Sequence, residues 1–397
     1  MMDSKTIIAE TDKYYLPVFS RYKVAFTHGK GCYLYDAEGK AYLDFLGGIA
    51  VNALGYAHPV LVKALSEQAA KLTHCSNIFY TDIQAKAVKL ISEVTGFDRV
   101  FLANSGAEAN EGAMKLARKY GVSMDPCKFK IISADESFHG RTFDTLAATG
   151  HEHYRVGYGP LPPGHEFVHF GDLKELEAAM DDEVCAVLLE PIQGEGGVHP
   201  ATKEYLEGVR KLCDKYKALL MFDEVQCGVC RSGKWFAYML YGVKPDVMTF
   251  AKGIGGGFPM GGFCVDEKYA HVFAPGDHGS TFGGNAIACA ATFATLSTLK
   301  SENMADKVVA KGKYFKEKLQ QLQEKHPDKV KEVRGTGLLL GMELTKKGSP
   351  VVESCLADGL IVNCTAEKVI RLVPPLIVTE AEIDKAVAIL DKALTKF

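Results

Sequence analysis

The chain has 397 residues, more than one usual domain, and its 47% hydrophobic and 24% charged composition is that of a globular protein with a sizeable core rather than a disordered or fibrous one. Its 46 basic and 49 acidic residues leave a net charge of −3 with the basic residues dispersed, which argues against a nucleic-acid footprint. No apolar run reaches bilayer-spanning length, the opening Met1-Met-Asp-Ser-Lys-Thr lacks the basic-then-apolar order of a secretion signal, and 11 scattered cysteines fit reduced thiols, so a cytosolic protein is expected.

Up to about Gly31 the chain has little periodicity but several aromatics (Tyr14, Tyr15, Phe19, Tyr22, Phe26), and it reads as an arm lying on another surface. Residues 32–35, 36–39 and 41–45 predict strand, tight turn and strand, with Gly39 at the permissive turn position. His58-Pro59 opens a helix to Lys71 carrying Val60, Ala64, Leu65 and Ala69 at helical spacing, and a second helix is expected from about 84 to 94. From Arg99 the pattern changes to short apolar strands at 100–103, 129–132, 184–189, 219–222 and 247–250, with helices at 107–120 and 203–216. Strands alternating with helices predict a mainly parallel sheet covered on both faces. After Gly284 come helices at 286–300 and from 304 to about 324, strands at 333–344, 360–363 and 369–373, and a closing amphipathic helix at 380–394. That order predicts an α+β C-terminal region.

Several of these elements end in residues that carry chemistry. Asn104-Ser-Gly-Ala107 joins a strand directly to a helix, so the N–H groups of Gly106 and Ala107 form a candidate phosphate site, although a plain N-cap at Ser105 has the same sequence. In Ser137-Phe-His-Gly-Arg-Thr142, Phe138 is suited to stack on a flat ring and Arg141 to grip a carboxylate; a core phenylalanine beside a surface arginine reads the same way. Glu190-Pro-Ile-Gln-Gly-Glu-Gly-Gly197 places Glu195 in a glycine-rich loop, with Arg371 of the last strand as its candidate partner. Strands ending at Asp223 and just before Lys252 bring a carboxylate and a partly desolvated lysine toward one crevice, a pair suited to a pyridine heterocycle and its aldehyde; a capping aspartate and a surface lysine remain the plain alternative. Cys227-Gly-Val-Cys230 has redox spacing, but no second ligand pair accompanies it and no metal site is expected.

Phe222-Asp-Glu-Val-Gln226, Thr249-Phe-Ala-Lys-Gly-Ile-Gly-Gly-Gly257, Asn104-Ser-Gly-Ala-Glu-Ala-Asn110, Phe138-His-Gly-Arg141 and Thr281-Phe-Gly-Gly-Asn285 together resemble the class III pyridoxal-phosphate aminotransferases, in family order from residue 14 to 395. The resemblance implies an α/β fold of fold type I: a large domain with a mainly parallel seven-stranded sheet plus a smaller α+β domain. Residues 1–57 would form an arm and hairpin packing with the small domain, 58–284 the large cofactor-binding domain, and 285–397 a connecting helix and the small domain. It also implies roles for single residues. Lys252 would hold pyridoxal 5'-phosphate and move the proton, Asp223 would pair with the ring nitrogen, and Gln226 would approach the phenolic oxygen. Val225 and Phe138 would cover the two ring faces, and Ser105, Gly106 and Ala107 would hold the phosphate, with Thr281 reaching it from the partner in a homodimer. Substrate would be bound by Arg141, Arg371 and Ser280, with Glu195 masking Arg371 when no carboxylate is there. The reaction implied is reversible, ping-pong amine transfer between N2-acetylornithine and 2-oxoglutarate; succinylornithine, ornithine, 4-aminobutyrate and N-succinyl-diaminopimelate are alternative substrates. Tyr15 and residues 77–80 are candidates for the acyl pocket. Lys23, Cys227, Cys230 and Ala366 depart from the family pattern.

Overall fold

The computed structural model describes residues 2–397. Its centre is a seven-stranded sheet built from β4 (Arg99–Ala103), β5 (Lys130–Ala134), β6 (His165–Val168), β7 (Val184–Leu189), β8 (Leu219–Asp223), β9 (Val247–Phe250) and β10 (Gly261–Val265). In space the order is β4-β10-β9-β8-β7-β5-β6. Only β10 runs antiparallel to its neighbours; all other pairings are parallel or, for β4, parallel once removed. The central strands β7 and β8 are buried along their whole length, which is why they read as unbroken apolar runs and not as alternating ones.

The outermost segments form two smaller sheets. β1 (Phe26–Lys30), β2 (Tyr33–Asp36) and β3 (Ala41–Asp44) make an antiparallel meander, and β3 pairs in parallel with β13 (Leu360–Ile361) through Leu43 to Leu360 and Asp44 to Ile361. An antiparallel sheet holds β11 (Val330–Thr336), β12 (Leu339–Leu344), β15 (Val369–Leu372) and β14 (Asn363–Thr365), in that order. Helix Ala286–Ser301 packs against helices Pro59–Lys71 and Asp82–Thr95 and leads into Met304–Lys325, which packs on β11 and on the closing helix Glu380–Lys396, itself opened by a reciprocal Thr379 and Glu382 cap.

Three sequence expectations are corrected, and two strands are added. The arm before Gly31 contains a helix, Ser4–Tyr14, capped by Asp3, and then β1; the helix buries none of its residues, so it lacks the apolar stripe that would have announced it. Residues 333–344 are not one strand but the hairpin β11–β12, because Gly337 at φ +57 turns the chain between Arg334-Gly-Thr336 and the apolar Leu338-Leu-Leu340. Residues 360–363 divide between two sheets, with Leu360–Ile361 joining the N-terminal meander and Asn363–Thr365 joining β15. β6 and β10 gave no clear strand signal: β10 begins Gly261-Gly262, and a Cβ at Gly262 would lie 2.2 Å from the Phe101 carbonyl oxygen, so the pairing with β4 needs the residue that strand propensity disfavours.

Candidate active site

Because β4, β5, β7, β8 and β9 point the same way, the loops leaving them meet at one edge of the sheet, where open α/β folds form their crevice. There the chain encloses a cavity of about 430 Å³ whose walls include Gly106, Asn110, Phe138, Arg141, Asp223 and Lys252. Ser105, Ala107, Val225 and Gln226 line it too, so nine of the expected residues share one space. The helix Gly106–Met124 starts at its rim. Ser105 Oγ caps Glu108 N at 3.1 Å and Ala109 N makes the first helical bond to Ser105 O at 3.0 Å, which leaves the N–H groups of Gly106 and Ala107 for an outside acceptor. The rim is tight: a Cβ at Gly106 would stand 2.8 Å from Val225 Cγ1.

Asp223 is buried and held from three directions. Asn110 Nδ2 donates to its Oδ2 at 2.7 Å, His139 Nδ1 lies 2.8 Å from the same oxygen, and Val225 N donates to Oδ1 at 3.0 Å. Glu190 lies in the same wall, accepting from Phe138 N at 3.0 Å and Gly194 N at 2.9 Å. Burial pushes its carboxyl up, and the negative charge of Asp223 adds to the rise. Glu224, next in sequence, turns the other way and accepts from Ala237 N and Tyr238 N at 2.5 and 2.6 Å; burial raises it to about 7. Of these two adjacent carboxylates only Asp223 belongs to the cavity.

Lys252 follows β9 with φ +48, a left-handed conformation that a long side chain adopts at a cost of about 1–2 kcal/mol. Burial lowers its amine from the usual lysine value; Glu195 pulls it back up and Arg371 pushes it further down. Arg371 on β15 is wholly buried. Its Nη1 donates to Glu195 Oε1 at 2.7 Å and to Gln226 Oε1 at 3.1 Å, and its Nε donates to Asn363 Oδ1 at 3.3 Å. Burial raises the Glu195 carboxyl, but the Arg371 guanidinium outweighs it and holds the group below the ordinary carboxylate range. Arg141, exposed at the mouth, stacks 3.7 Å over the Tyr154 ring, which itself meets Phe138 edge-on.

Asn110, His139 and Glu190 were not singled out from sequence as site residues. Asn110 stands one helical turn after Gly106, the face that a ligand at the helix start would see, and His139 sits between two residues of the Phe-His-Gly-Arg segment; those spacings were the available signals. Glu195 and Arg371 reach the cavity only through Gln226, Glu195 itself lining a neighbouring cavity with Glu136 and Thr365, and two further expected residues lie elsewhere in the single chain. Ser280 and the exposed Thr281 line a different cavity beside Asn104 and His278, and Ser280 Oγ is engaged by Asn104 Nδ2 and Gly283 N at 3.2 and 2.9 Å. Tyr15 and residues 77–80 are exposed and outside the Lys252 cavity. Cys227 and Cys230 are buried, and burial pushes both thiols up, the second to about 12. Such thiols are poor nucleophiles at neutral pH, so Cys227→Ala and Cys230→Ala are expected to change kcat by less than about twofold in a steady-state assay.

The cavity suits the cofactor that the motifs imply. Asn110 Oδ1 and His139 Nε2 are buried with no hydrogen-bond partner among the described residues, the helix start offers two free N–H groups, and Phe138 and Val225 border the space between them. The aminotransferase class-III family pattern matches residues 17–394. An acetylornithine aminotransferase of Caldanaerobacter subterraneus subsp. tengcongensis is 51% identical over 392 residues, covering 98% of this chain and 99% of that protein. One from Methanocaldococcus jannaschii is 48% identical over 385 residues, 97% and 96% of the two chains. Among solved structures, the ornithine aminotransferase of Toxoplasma gondii ME49 superposes with a TM-score of 0.96 at 33% identity, covering 100% of this chain and 96% of that one.

Proposed function

The chain belongs to the class-III aminotransferases, which use pyridoxal phosphate, and on that premise we propose that it interconverts N2-acetylornithine and 2-oxoglutarate with N-acetylglutamate 5-semialdehyde and glutamate. The observation that carries the reading is the buried Arg371 paired with Glu195 and, through Gln226, one hydrogen bond from the wall of the Lys252 cavity. An unpaired guanidinium at that depth would be costly, and a carboxylate on a glycine-rich loop is a partner that can leave when a substrate carboxylate arrives.

When bound, the cofactor supplies an aldehyde carbon that takes the amine and a ring that withdraws the electron pair left when a proton departs. Lys252 would hold that aldehyde and would carry the proton at the reacting carbon. Asp223, braced by His139 and Asn110, keeps the ring nitrogen protonated. Gly106 and Ala107 hold the phosphate through backbone N–H groups, with Ser105 capping the same helix. Phe138 and Val225 would border the ring, and Gln226, whose Oε1 accepts from Arg371, has its amide nitrogen left to donate to the phenolic oxygen. Arg141 takes the α-carboxylate of acetylornithine or the side-chain carboxylate of glutamate, while Arg371 takes the α-carboxylate of glutamate. Glu195 covers Arg371 when the acetylornithine chain is in place.

Residues 58–284 serve as the cofactor-binding domain and 285–397 as the small domain, with 1–57 packing on it. The enzyme works in the cytoplasm as a homodimer in which Thr281 of the partner subunit reaches the phosphate, with Ser280 beside it at the substrate mouth. Support for the dimer comes from Ile78, Phe79, Tyr80 and Phe282, all exposed in the single chain, and from Asn77, which ties their segment to the Thr281 loop through Ser280 O and Gly283 O at 3.1 and 2.9 Å. Among the described residues no helix is long and apolar enough to cross a membrane.

The test is the long-wavelength absorbance of the bound cofactor, titrated separately with glutamate, acetylornithine and 4-aminobutyrate. Bleaching by the first two and weak response to the third supports the reading; preference for 4-aminobutyrate overturns the substrate, and failure to bind the cofactor overturns the activity. Arg371→Ala is expected to raise KM for glutamate about 100-fold while leaving that for acetylornithine within about threefold. Equal losses for both substrates would remove Arg371 from the role given to it.

A further inference from the structure

Arg231 is a buried cation that no step above uses. It lies in the loop after β8, eight positions beyond Asp223, and is 2% exposed. Its Nη1 donates to Leu338 O at 3.0 Å and to Pro374 O at 2.5 Å, carbonyls at the β11–β12 turn and just after β15. The exchange is returned: Leu338 N donates to Arg231 O at 2.9 Å, and Thr336 Oγ1 donates to Ser232 O at 3.4 Å. The approach is close enough that a Cβ at Gly337 would stand 2.5 Å from Arg231 O. Asp44, also buried, contributes its negative charge nearby while its oxygens accept from Leu46 N, Gly47 N and Tyr56 Oη. Burying a guanidinium against carbonyls is a weak way to gain stability, because desolvation offsets most of the attraction. It is, however, a rigid planar fork able to fix two backbone segments relative to a third.

Those segments matter. Pro374 follows Arg371 by three positions, and the loop bearing Arg231 leaves the strand that ends at Asp223 and also carries Gln226. We propose that Arg231 is a positioning residue for substrate selection: it locks β15 and the β11–β12 turn onto the loop after Asp223, and so sets the distance of Arg371 from the reacting centre. The inference rests on the reading of Arg371 as the binder of the glutamate α-carboxylate. Only the glutamate half-reaction depends on that distance; the acetylornithine half-reaction, anchored by Arg141, does not.

The experiment measures each half-reaction of the holoenzyme in single turnover, following cofactor absorbance with glutamate and with acetylornithine, for Arg231→Met, Arg231→Lys and Arg371→Ala. Arg231→Met should raise the half-saturating glutamate concentration at least about tenfold and move that for acetylornithine by less than about threefold, with Arg231→Lys recovering most of the loss. Gly337→Ala, which pushes the turn away from Arg231 O, should give the same selective defect and serves if Arg231→Met does not fold. A purely structural role would lower the thermal midpoint or the active fraction and scale both half-reactions equally, which overturns the proposal. If Arg371→Ala leaves the glutamate half-reaction unchanged, the role of Arg371 and this proposal both fall; if Arg371→Ala is selective and the Arg231 and Gly337 variants are not, this proposal falls alone.

Discussion

Lys252→Ala is expected to lower kcat by about 10⁴-fold or more in both half-reactions, since one amine is asked both to bind the cofactor covalently and to carry the proton. The two losses separate by measurement. Borohydride treatment should fix the cofactor to the wild-type chain and not to the variant, while proton exchange at the substrate carbon should stop in the variant even with cofactor added. Retention of more than about a hundredth of the activity would remove Lys252 from the chemistry. A stability effect accompanies the catalytic one. Burial lowers the folded-state pKa of Lys252 below its unfolded value of 10.5. Between those two values the unfolded chain binds more protons, so this group makes the cofactor-free protein more stable as pH rises through that window, and below it the buried charge is a standing cost. Lys252→Met, similar in length and apolar, should therefore unfold at a higher temperature than wild type at neutral pH and lose that part of the pH dependence.

The second large effect is expected at Asp223. Asp223→Asn keeps the shape but removes the charge that stabilises a protonated ring nitrogen, and kcat should fall by roughly 10³-fold or more in both directions. The substitution also disturbs the surrounding bonds, because Asn110 Nδ2 and Val225 N donate to the aspartate and His139 Nδ1 contacts it. An asparagine in its place must turn its own NH₂ toward one of these groups. Weaker cofactor retention is the expected companion, read by dialysis and absorbance. Asp223→Glu, which keeps the charge but displaces it, should fall between the two. If Asp223→Asn keeps kcat within about tenfold of wild type, the ring nitrogen does not depend on this carboxylate.

Both predictions rest on residues that were visible in sequence, for a physical reason. Asp223 and Lys252 end or follow apolar runs whose length and lack of alternation mark buried parallel strands, and strand ends in such folds converge. Glycines around Gly106 and Gly257 advertise backbone that must be approached closely. Arg371 and Glu195 were visible as a long-range pair because each is a charge in an otherwise apolar or glycine-rich segment. By contrast, the helix Ser4–Tyr14 has no buried face to create a pattern, β10 begins with glycines that its neighbour requires, and in 333–344 either of two glycines, Gly335 and Gly337, could have been the turn.

By itself, then, the order of residues determined the alternating α/β plan, the crevice-edge positions of Lys252 and Asp223, and the motifs that place the chain in its family; all of these follow from local periodicity and short spacings. Tertiary structure decided the rest. It turned Glu224 away from the cavity onto Ala237 and Tyr238, recruited Asn110, His139 and Glu190 to the cavity, and joined β13 to the N-terminal meander across more than three hundred positions. It also set Arg231 against Leu338 and Pro374. Which partner a buried charge or a short strand finds depends on groups brought together from distant parts of the chain, and no local pattern encodes that choice.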